Sequence, residues 1–279
     1  MRLRTLQADG AACVALPDGR LARADRILDG APPDLLSLLA AGTLDALAAA
    51  VARGVEDTAC VDPQSPVAAP WTRPRKILGI GLNYGAHAGD LGEQAPRTSP
   101  ASFIKGDHTI VGPGEPIIVP SGIGRVTAEA ELGLVIGRTC LRVGVDEAMS
   151  YVAGVVPVLD QTAEEILLEN PRYLTRVKNY PTFFSFGPEL ITLDEVLSHG
   201  PLSSLRVATV HNGAVHRTDT VAGMTFSPAE LLSFHSQVMP FYPGDILSTG
   251  TPGAVPIVAG DVVRCELGNV YASLENPVE

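Results

Sequence analysis

Residues 128–136 read Ala-Glu-Ala-Glu-Leu-Gly-Leu-Val-Ile and place two carboxylates, Glu129 and Glu131, inside an apolar stretch typical of a β-strand. Side chains two residues apart on a strand point to the same face, about 6–7 Å from each other. Two like charges beside a hydrophobic core repel each other and lose hydration, which favours protonation of one of them or a bound cation. A divalent-metal site is therefore one interpretation of the stretch. The alternative is a solvent-facing strand with alternating polar residues.

Charge and length limit the classes of partner. The 279 residues are enough for one large domain, or a large and a small one, with a substantial core. The 20 Lys and Arg against 31 Asp and Glu give a net charge of −11, and the basic residues form no cluster. Nucleic acid and anionic membrane surfaces are therefore poor candidate partners.

The cysteines and the hydropathy pattern indicate the compartment. The four cysteines are scattered, without the spacing of a zinc site or a redox pair, which is typical of a reducing environment. The first residues contain no continuous apolar signal region, and no 18-residue uncharged apolar stretch follows. We therefore expect a soluble, cytoplasmic protein.

The first 70 residues predict a small β/α region. The dipeptides Asp9-Gly10 and Asp18-Gly19 indicate hairpins, and two short helical patterns follow near residues 35–39 and 42–51. Four prolines between residues 61 and 75 then form an extended connector. We therefore predict an N-terminal region at residues 1–70 and a catalytic domain at residues 75–279.

A third carboxylate ends the apolar run at residues 152–160. Asp160, together with Glu129 and Glu131, would complete three oxygen ligands of the kind that Mg²⁺, Mn²⁺ or Ca²⁺ accepts. Asp160 could instead cap a helix predicted over residues 162–168. The sequence leaves both interpretations open.

A histidine and an acid follow the strand predicted over residues 76–84. If residues 85–92 make a helical turn, His87 and Asp90 lie three residues apart and can hydrogen-bond, which leaves one ring nitrogen of the histidine to accept a proton from water. The alternative is a surface pair. Glycines around them suit a flap that orders over a ligand.

Two later stretches offer contacts for a substrate. Lys178 precedes an aromatic run, Phe183-Phe184-Ser185-Phe186, and could hold an anionic group or stabilise developing negative charge, although aromatic residues also belong in cores. The loop at residues 242–253 is rich in glycine, so its backbone amides and Thr251 can approach a small ligand, unless it is only a tight turn.

In combination and order, these signals resemble the fumarylacetoacetate hydrolase family over about residues 75–275. The matching stretches are Gly-Leu-Asn83-Tyr84-x-x-His87, Pro100-x-x-Phe103-x-Lys105, Glu129-Ala-Glu131-Leu-x-x-Val-Ile-Gly137, Tyr151-Val-x-Gly154 running to Asp160, Arg176-x-Lys178 before Gly187-Pro188, Asn212-Gly213, and Pro243-Gly-Asp245 before Thr249-Gly-Thr251-Pro252. The resemblance implies an α+β, mainly β fold, a mixed β-sandwich roll, usually assembled as a dimer. It also implies one Mg²⁺ or similar ion on Glu129, Glu131 and Asp160.

The resemblance further implies a reaction. A small carboxylic acid with neighbouring oxygens, such as an acylpyruvate, chelates the metal, and an enolate forms as a carbon–carbon bond breaks. His87, with an acidic partner, matches the residue that activates water; Lys178 matches the lysine that stabilises the enolate or carboxylate; and Thr251 lies in the loop that holds the carboxylate. We also predict that Tyr84, Lys105 and Gln161 contact the substrate.

The sequence departs from the family at two places. The acid three residues after the family histidine is usually glutamate, whereas here it is Asp90, with Glu93 as a possible substitute. The family pattern Asp-x-Ser-x-Arg-Asp is here Asp160-Gln-Thr-Ala-Glu164-Glu165, which puts the charge of the substrate in doubt.

We therefore predict a metal-dependent hydrolase of a 1,3-dicarbonyl acid. A decarboxylase of oxaloacetate-like acids or an isomerase of oxo-enoic acids is the alternative, because both need an enolate but no attack by water. A non-catalytic module that binds a cation or small ligand is a further alternative.

Overall fold

The structure is a computed structural model that describes residues 1–90, 96 and 98–279, with only the backbone for His87, Ala88 and Asp90. The described residues form 17 strands. These are β1 Arg2–Thr5, β2 Ala12–Ala15, β3 Leu21–Arg23, β4 Cys60–Val61, β5 Ile77–Gly81, β6 Ala101–Lys105, β7 Ile110–Val111, β8 Val126–Ile136, β9 Val152–Ala163, β10 Phe184–Phe186, β11 Leu190–Thr192, β12 Arg206–His211, β13 Ala214–Thr220, β14 Ile246–Ser248, β15 Ala254–Ile257, β16 Val262–Leu267 and β17 Leu274–Pro277.

Short helices connect the strands. In the described part of the chain they are α1 Ala24–Ile27, α2 Leu35–Ala41, α3 Leu44–Ala52, α4 Gly85–Asp90, α5 Val145–Ala148, α6 Glu164–Glu169, α7 Leu174–Lys178, α8 Leu193–Ser198 and α9 Pro228–Ser236. Single 3₁₀ turns lie at Asp57–Ala59, Asp107–Thr109, Met149–Tyr151, Leu202–Ser204 and Val221–Gly223. The predicted α+β class with mainly strands is confirmed.

A large mixed sheet is built around the two longest strands. Its order is β4-β3-β2-β1-β11-β9-β8-β14-β5-β6, with β10 pairing both β9 and β7 and with β15 pairing β8. β8 and β9 run antiparallel, with Glu129 directly opposite Asp160, while β14 pairs β5 in parallel. The register between β8 and β9 therefore brings together carboxylates that are 31 positions apart in the chain.

Both faces of β8 are buried. The even-numbered residues from Val126 to Ile136 belong to one apolar core, and Val135 belongs to a second core on the other face together with Val156 and Val158. All eleven residues of β8 are buried. The alternative of a solvent-facing strand is therefore wrong, because Glu129 and Glu131 lie beneath other elements of the fold.

A second sheet, in the order β13-β12-β16-β17, packs against the even-numbered face of β8. Cys265 of β16 reaches across, with its Sγ 3.6 Å from the Glu131 carbonyl oxygen. The predicted hairpin at Asn212-Gly213 joins β12 to β13, and both residues have the positive φ that this turn needs, 49° and 81°. The two sheets thus enclose the larger apolar core.

The N-terminal strands extend the large sheet. The two predicted hairpins are present as the antiparallel pairs β1–β2 and β2–β3, and β1 also pairs with β11 of the following region. The two predicted helices are α2 and α3. Asp34 caps the start of α2 by accepting a hydrogen bond from the Ser37 amide, and Gly42 ends it with φ of 66°. The division at residues 70–75 stays a prediction.

The helix expected after Asp160 begins later than predicted. β9 continues through Ala163 and α6 starts at Glu164, so Asp160 lies inside the strand pair. The suggestion that Asp160 caps this helix is wrong, because pairing with β8 extends past Asp160 to Ala163 opposite Val126.

Within the described ranges, no single helix has the length and apolarity needed to span a bilayer. The consecutive helices α2 and α3, bent by 105° at their junction, meet the length and composition criteria only as a pair.

Candidate metal centre and active site

Three carboxylates converge on one face of the β8–β9 pair. Glu129 faces Asp160 across the two strands, and Glu131 follows two residues along β8. One oxygen from each carboxylate lies within 4.8 Å of the other two. The side chains are almost fully buried, with exposed fractions of 8% for Glu129, 1% for Glu131 and 0% for Asp160. The structure thus brings together the three predicted metal ligands.

The chemistry of these oxygens suits a hard divalent cation. Burial raises the pKa of Glu131 to about 8, and the neighbouring charges of Asp160 and Glu129 act in the same direction. Oε1 of Glu131 is buried and has no hydrogen-bond partner among the described residues. A divalent ion held by the three carboxylates would satisfy this oxygen and offset the repulsion. The residues therefore fit an Mg²⁺, Mn²⁺ or Ca²⁺ ion.

Neighbouring polar groups hold two of the carboxylates. Glu131 Oε2 accepts hydrogen bonds from the Ser248 hydroxyl at 2.5 Å and from the Gly250 amide at 2.9 Å. The Thr162 hydroxyl donates to Oε1 of Glu129. Such contacts orient the ligands of a metal and tune their basicity.

Sequence reasoning missed these supporting groups. Thr162 could have been found, because it lies two residues after Asp160 on the same strand and therefore on the same face. Ser248 carries no comparable local signal, since its position depends on the pairing of β14 with β8.

Lys178 forms ion pairs with two of the carboxylates. Its Nζ lies 2.7 Å from Asp160 Oδ2 and 3.2 Å from Glu129 Oε2. Burial disfavours the charged form, but Asp160, Glu129 and Glu131 together outweigh it and raise the pKa of Lys178. The ammonium also lies 4.6 Å from the centre of the Phe103 ring. Lys178 therefore stays protonated and holds its positive charge directly at the site.

Lys105 lies at the same carboxylate instead of in an open pocket. Its Nζ contacts Asp160 Oδ1 and the carbonyl oxygen of Gln161, the latter at 3.2 Å. Burial lowers the pKa of Lys105 to about 8, opposed by the charge of Asp160. Both oxygens of Asp160 thus contact lysines. The predicted contact between Lys105 and a substrate stays a prediction.

The aromatic run after Lys178 belongs mainly to the two cores. Phe183 lies in one apolar core, and Phe184 and Phe186 lie in the other. Phe184 pairs with Asp160 across β10 and β9, and its ring centre is 5.9 Å from Lys105 Nζ. Of the three rings, Phe184 therefore comes nearest to the site.

Tyr84 directs an unpaired hydroxyl into the protein interior. Its side chain is fully buried, and its hydroxyl has no partner within the described part of the chain. Burial raises the pKa of Tyr84, and the nearby charges of Asp219 and Glu131 add to the rise. The phenol therefore stays protonated near Glu131, where it can donate a hydrogen bond.

The loop that carries Thr251 approaches the carboxylates through its backbone. Gly250 has φ of 93°, and an added Cβ would lie 2.9 Å from the Asn83 side chain, so only glycine fits where the Gly250 amide reaches Glu131. The Thr251 hydroxyl is buried and donates to the Gly253 carbonyl at 3.2 Å. This loop is thus close to the metal centre, while the Thr251 side chain stabilises the turn.

Gln161 does not join the group around the carboxylates. Strict alternation along β9 directs it to the face opposite Asp160, on the side of Leu159 and Ala163 in the larger core. Its predicted role as a substrate contact stays a prediction, and the period of two along the strand directs its side chain away from the three carboxylates.

The predicted catalytic pair lies partly outside the described residues. The helical turn expected over residues 85–92 is present as α4, Gly85–Asp90, which carries His87 and Asp90. The side chains of His87 and Asp90, and all of Glu93, lie outside the described residues, so this pairing stays a prediction.

Glu164, which replaces the basic residue of the family pattern, forms an ion pair with Arg125. Arg125 directly precedes β8 and Glu164 directly follows β9, so the pair lies at the open end of the carboxylate-bearing ribbon. A guanidinium is thus present near this position, although it comes from a different strand.

Metal binding is expected to release protons below about pH 8. Glu131 has a folded pKa of about 8 against an ordinary value of 4.5, so the folded, metal-free protein keeps a proton that the unfolded chain loses. This carboxyl group therefore lowers stability as pH rises from about 4.5 to about 8. A metal must displace the proton, so affinity should rise with pH in that window by up to about tenfold per pH unit.

Calorimetric titration with Mn²⁺ in two buffers of different ionisation enthalpy measures the released proton directly. We expect release near pH 6.5 and much less near pH 9. Equal proton release at both values would contradict a protonated Glu131 in the metal-free protein.

Three buried carboxylates with two lysines define a candidate centre for divalent-metal chemistry on a strand-rich α+β scaffold. The sequence profile described as fumarylacetoacetate (FAA) hydrolase C-terminal matches residues 76–279. The chain therefore belongs to the fumarylacetoacetate hydrolase family, as predicted.

Individual relatives have several activities. The chain is 35% identical over 249 residues to 2,4-didehydro-3-deoxy-L-rhamnonate hydrolase of Sphingomonas sp. (strain SKA58), a match covering 86% of this chain and 85% of the relative. It is 32% identical over 247 residues to a mitochondrial oxaloacetate tautomerase of Bos taurus, and the match covers 85% of this chain and 77% of the relative. The structure is also similar to maleylpyruvate hydrolase from Sphingobium sp. SYK-6 in complex with manganese(II) ion and pyruvate. Its TM-score is 0.80 at 27% identity, covering 100% of this chain and 98% of the other.

Proposed function

We propose that this protein is a divalent-metal-dependent enzyme that hydrolyses a carbon–carbon bond in a 1,3-dicarbonyl acid of the acylpyruvate type. The observation that carries the proposal is the buried triad Glu129, Glu131 and Asp160 with the Lys178 ammonium in contact with two of its members. Two relatives support it, since both are hydrolases and one was crystallised with manganese and pyruvate.

The three carboxylates would hold the metal, which we propose to be Mg²⁺, with Mn²⁺ or Ca²⁺ as alternatives. When bound, such an ion polarises the carbonyl group of the substrate and offsets negative charge that develops on oxygen. Oε1 of Glu131, which has no hydrogen-bond partner among the described residues, would bind the ion, while Ser248 and Gly250 keep Oε2 in place.

Residues of this chain supply the rest of the chemistry. His87, held on α4 at the end of the β5 segment, accepts a proton from water as the water oxygen bonds to the distal carbonyl carbon. The carbon–carbon bond then breaks, and its electron pair forms the enolate of the pyruvate half. Lys178 stabilises this negative charge, and Tyr84 donates a hydrogen bond within the same buried space. Protonation of the enolate carbon completes pyruvate, and the acyl half leaves as a carboxylic acid.

A decarboxylase or isomerase is the second candidate. The oxaloacetate tautomerase among the relatives favours it, because interconversion of keto and enol forms needs the enolate but no attacking water. The same carboxylates and Lys178 serve all these reactions, but decarboxylation forms the enolate by loss of CO₂ and needs no base to activate water. A module that binds a cation without turnover is the remaining alternative.

Replacement of His87 by alanine distinguishes these reactions. We expect hydrolysis of acylpyruvates to fall by about 10²–10⁴-fold, because general base catalysis is lost, while decarboxylation of oxaloacetate continues. The assay uses purified protein with Mg²⁺ or Mn²⁺, a panel of acylpyruvates, oxaloacetate and oxo-enoic acids, and an EDTA control.

Several outcomes would contradict the proposal. Unchanged activity after complete removal of metal would eliminate the carboxylate centre from the mechanism. Undiminished acylpyruvate hydrolysis in the His87→Ala variant would eliminate the base, and absence of turnover across the whole panel would favour the binding module. An exposed histidine far along the chain, His216, provides the matched alanine control.

We also propose a cytoplasmic homodimer that acts on a small carboxylic acid. The reducing compartment is supported by four cysteines that are all free. Sedimentation measurements on the purified chain test the oligomeric state.

A further inference from the structure

Two neighbouring side chains on the reverse of the metal-binding face have buried polar atoms that lack partners. Gln161 and Ser185 both have an exposed fraction of 0%. Neither the Oε1 nor the Nε2 atom of Gln161, nor the Oγ of Ser185, has a hydrogen-bond partner among the described residues. A buried amide and hydroxyl without partners would cost stability comparable to several lost hydrogen bonds.

The register of β9 and β10 places these side chains on the same face. Ser185 pairs with Leu159, and Gln161 lies two residues farther along β9. The backbone agrees, because the Gln161 amide donates to the Phe183 carbonyl at 3.2 Å. Diagonal neighbours of this kind lie roughly 7–8 Å apart between Cα atoms, which a glutamine side chain can largely span. The two side chains therefore point to the same side of the sheet, toward the larger core.

A third polar group approaches from the second sheet. Asn276 of β17 is fully buried between Leu274 and Val278, which both point into the larger core. Its Nδ2 donates to the carbonyl of Gly112 at 2.7 Å, and Gly112 follows Val111, the residue that pairs with Ser185. Its Oδ1 is unpartnered within the described residues. The second sheet thus contributes a further acceptor.

We propose that Gln161 and Ser185 bind ordered water between the two sheets, with Asn276 Oδ1 as a further acceptor. Buried water commonly makes about three hydrogen bonds to groups that the protein leaves unsatisfied. The amide of Gln161 supplies two hydrogens and an acceptor, and the hydroxyl of Ser185 supplies one hydrogen and an acceptor. The surrounding core is apolar, so a water is held by these polar ends alone.

This site is separate from the proposed reaction. It lies on the face of β9 opposite Asp160, and it explains why a glutamine is buried next to a metal ligand without facing the metal. The Gln161 backbone carbonyl meanwhile accepts a hydrogen bond from Lys105. The backbone carbonyl of this residue therefore contacts a lysine of the carboxylate site, while its side chain points into the larger core.

Stability measurements on Gln161→Met, Ser185→Ala and the double variant test the proposal. If water bridges the two groups, each single variant melts at a lower temperature, by about 2–4 °C, and the double variant loses less than the sum. If the groups are truly unpaired, the apolar replacements remove buried polar atoms and raise the melting temperature. The exposed variants Gln64→Met and Ser203→Ala serve as controls and should leave the melting temperature nearly unchanged.

A crystal structure of the unaltered protein that resolves ordered water provides a test that does not depend on the variants folding. The expected result is a water within about 2.7–3.2 Å of a polar atom of Gln161 and of Ser185 or Asn276. A dry interior would overturn the proposal. So would a Gln161 rotamer that bonds directly to protein groups.

Discussion

Replacement of Glu131 by glutamine is expected to abolish metal binding while leaving the metal-free protein at least as stable as the original. The folded protein already favours a neutral carboxyl group at this position, since burial and two neighbouring carboxylates raise its pKa to about 8. The glutamine carbonyl can accept the hydrogen bonds from Ser248 and Gly250. An uncharged amide, however, is a poor metal ligand beside two carboxylates. Loss of a hydrogen bond that supports a ligand lowers metal affinity by roughly 10–100-fold, and we expect loss of the ligand itself to lower it further.

Thermal unfolding with and without Mn²⁺ measures both effects in one experiment. At a hundredfold excess over its dissociation constant, the ion should raise the melting temperature of the original protein by roughly 5–10 °C. The variant should show no such rise, and its turnover should disappear. Glu169→Gln, which changes an exposed carboxylate on α6, is the matched control. A variant that keeps the full metal-dependent rise would exclude Glu131 as a ligand.

Replacement of Lys178 by methionine is expected to separate metal binding from turnover. The ammonium contacts Asp160 and Glu129, and we propose that it stabilises negative charge during the reaction. Loss of one well-placed charge or donor of this kind commonly lowers kcat by about 10²–10³-fold. Metal affinity should be retained or increased, because the methionine removes a positive charge that repels an incoming cation at the same carboxylates.

Thermal unfolding with and without Mn²⁺ tests this prediction, because Lys178→Met and Glu131→Gln should change the metal-dependent rise in melting temperature in opposite directions. Without metal, Glu129 and Asp160 have less positive charge nearby in the variant, so the variant should be less stable than the original protein. Addition of Mn²⁺ should therefore raise the melting temperature of the variant by more than it raises that of the original protein. Arg176→Met removes an exposed cation from the same helix and controls for charge alone. Simultaneous loss of metal binding and turnover in Lys178→Met would contradict the proposed division of roles.

The sequence was sufficient to propose the metal ligands, because local spacing offered them and the resemblance to the family selected this interpretation over its alternatives. A period of two places Glu129 and Glu131 on one face, and an apolar run ending in Asp160 supplies the third oxygen. The same rule also shows why Gln161 lies elsewhere, since adjacent residues of a strand point in opposite directions.

Other contacts depended on long-range pairing. Lys105 ends β6, and the chain continues into β7, which pairs with β10 beside Asp160 of β9. Ser248 meets Glu131 because β14 aligns with β8. The register between distant strands is set by which face of each strand is buried in the fold, and a short stretch of sequence does not contain this information. The sequence alone predicted a contact between Lys105 and the substrate, and the fold adds a contact between its ammonium and Asp160.

What the sequence by itself determined is the chemistry of Glu129, Glu131 and Asp160, because spacing along a strand decides which side chains share a face. Only the tertiary structure decided that these carboxylates are buried, that Asp160 stands opposite Glu129, and that two lysines contact Asp160. The physical reason is that burial and charge neutralisation arise from elements far apart in the chain. Packing the two sheets and pairing β8 with β9 brings those elements together.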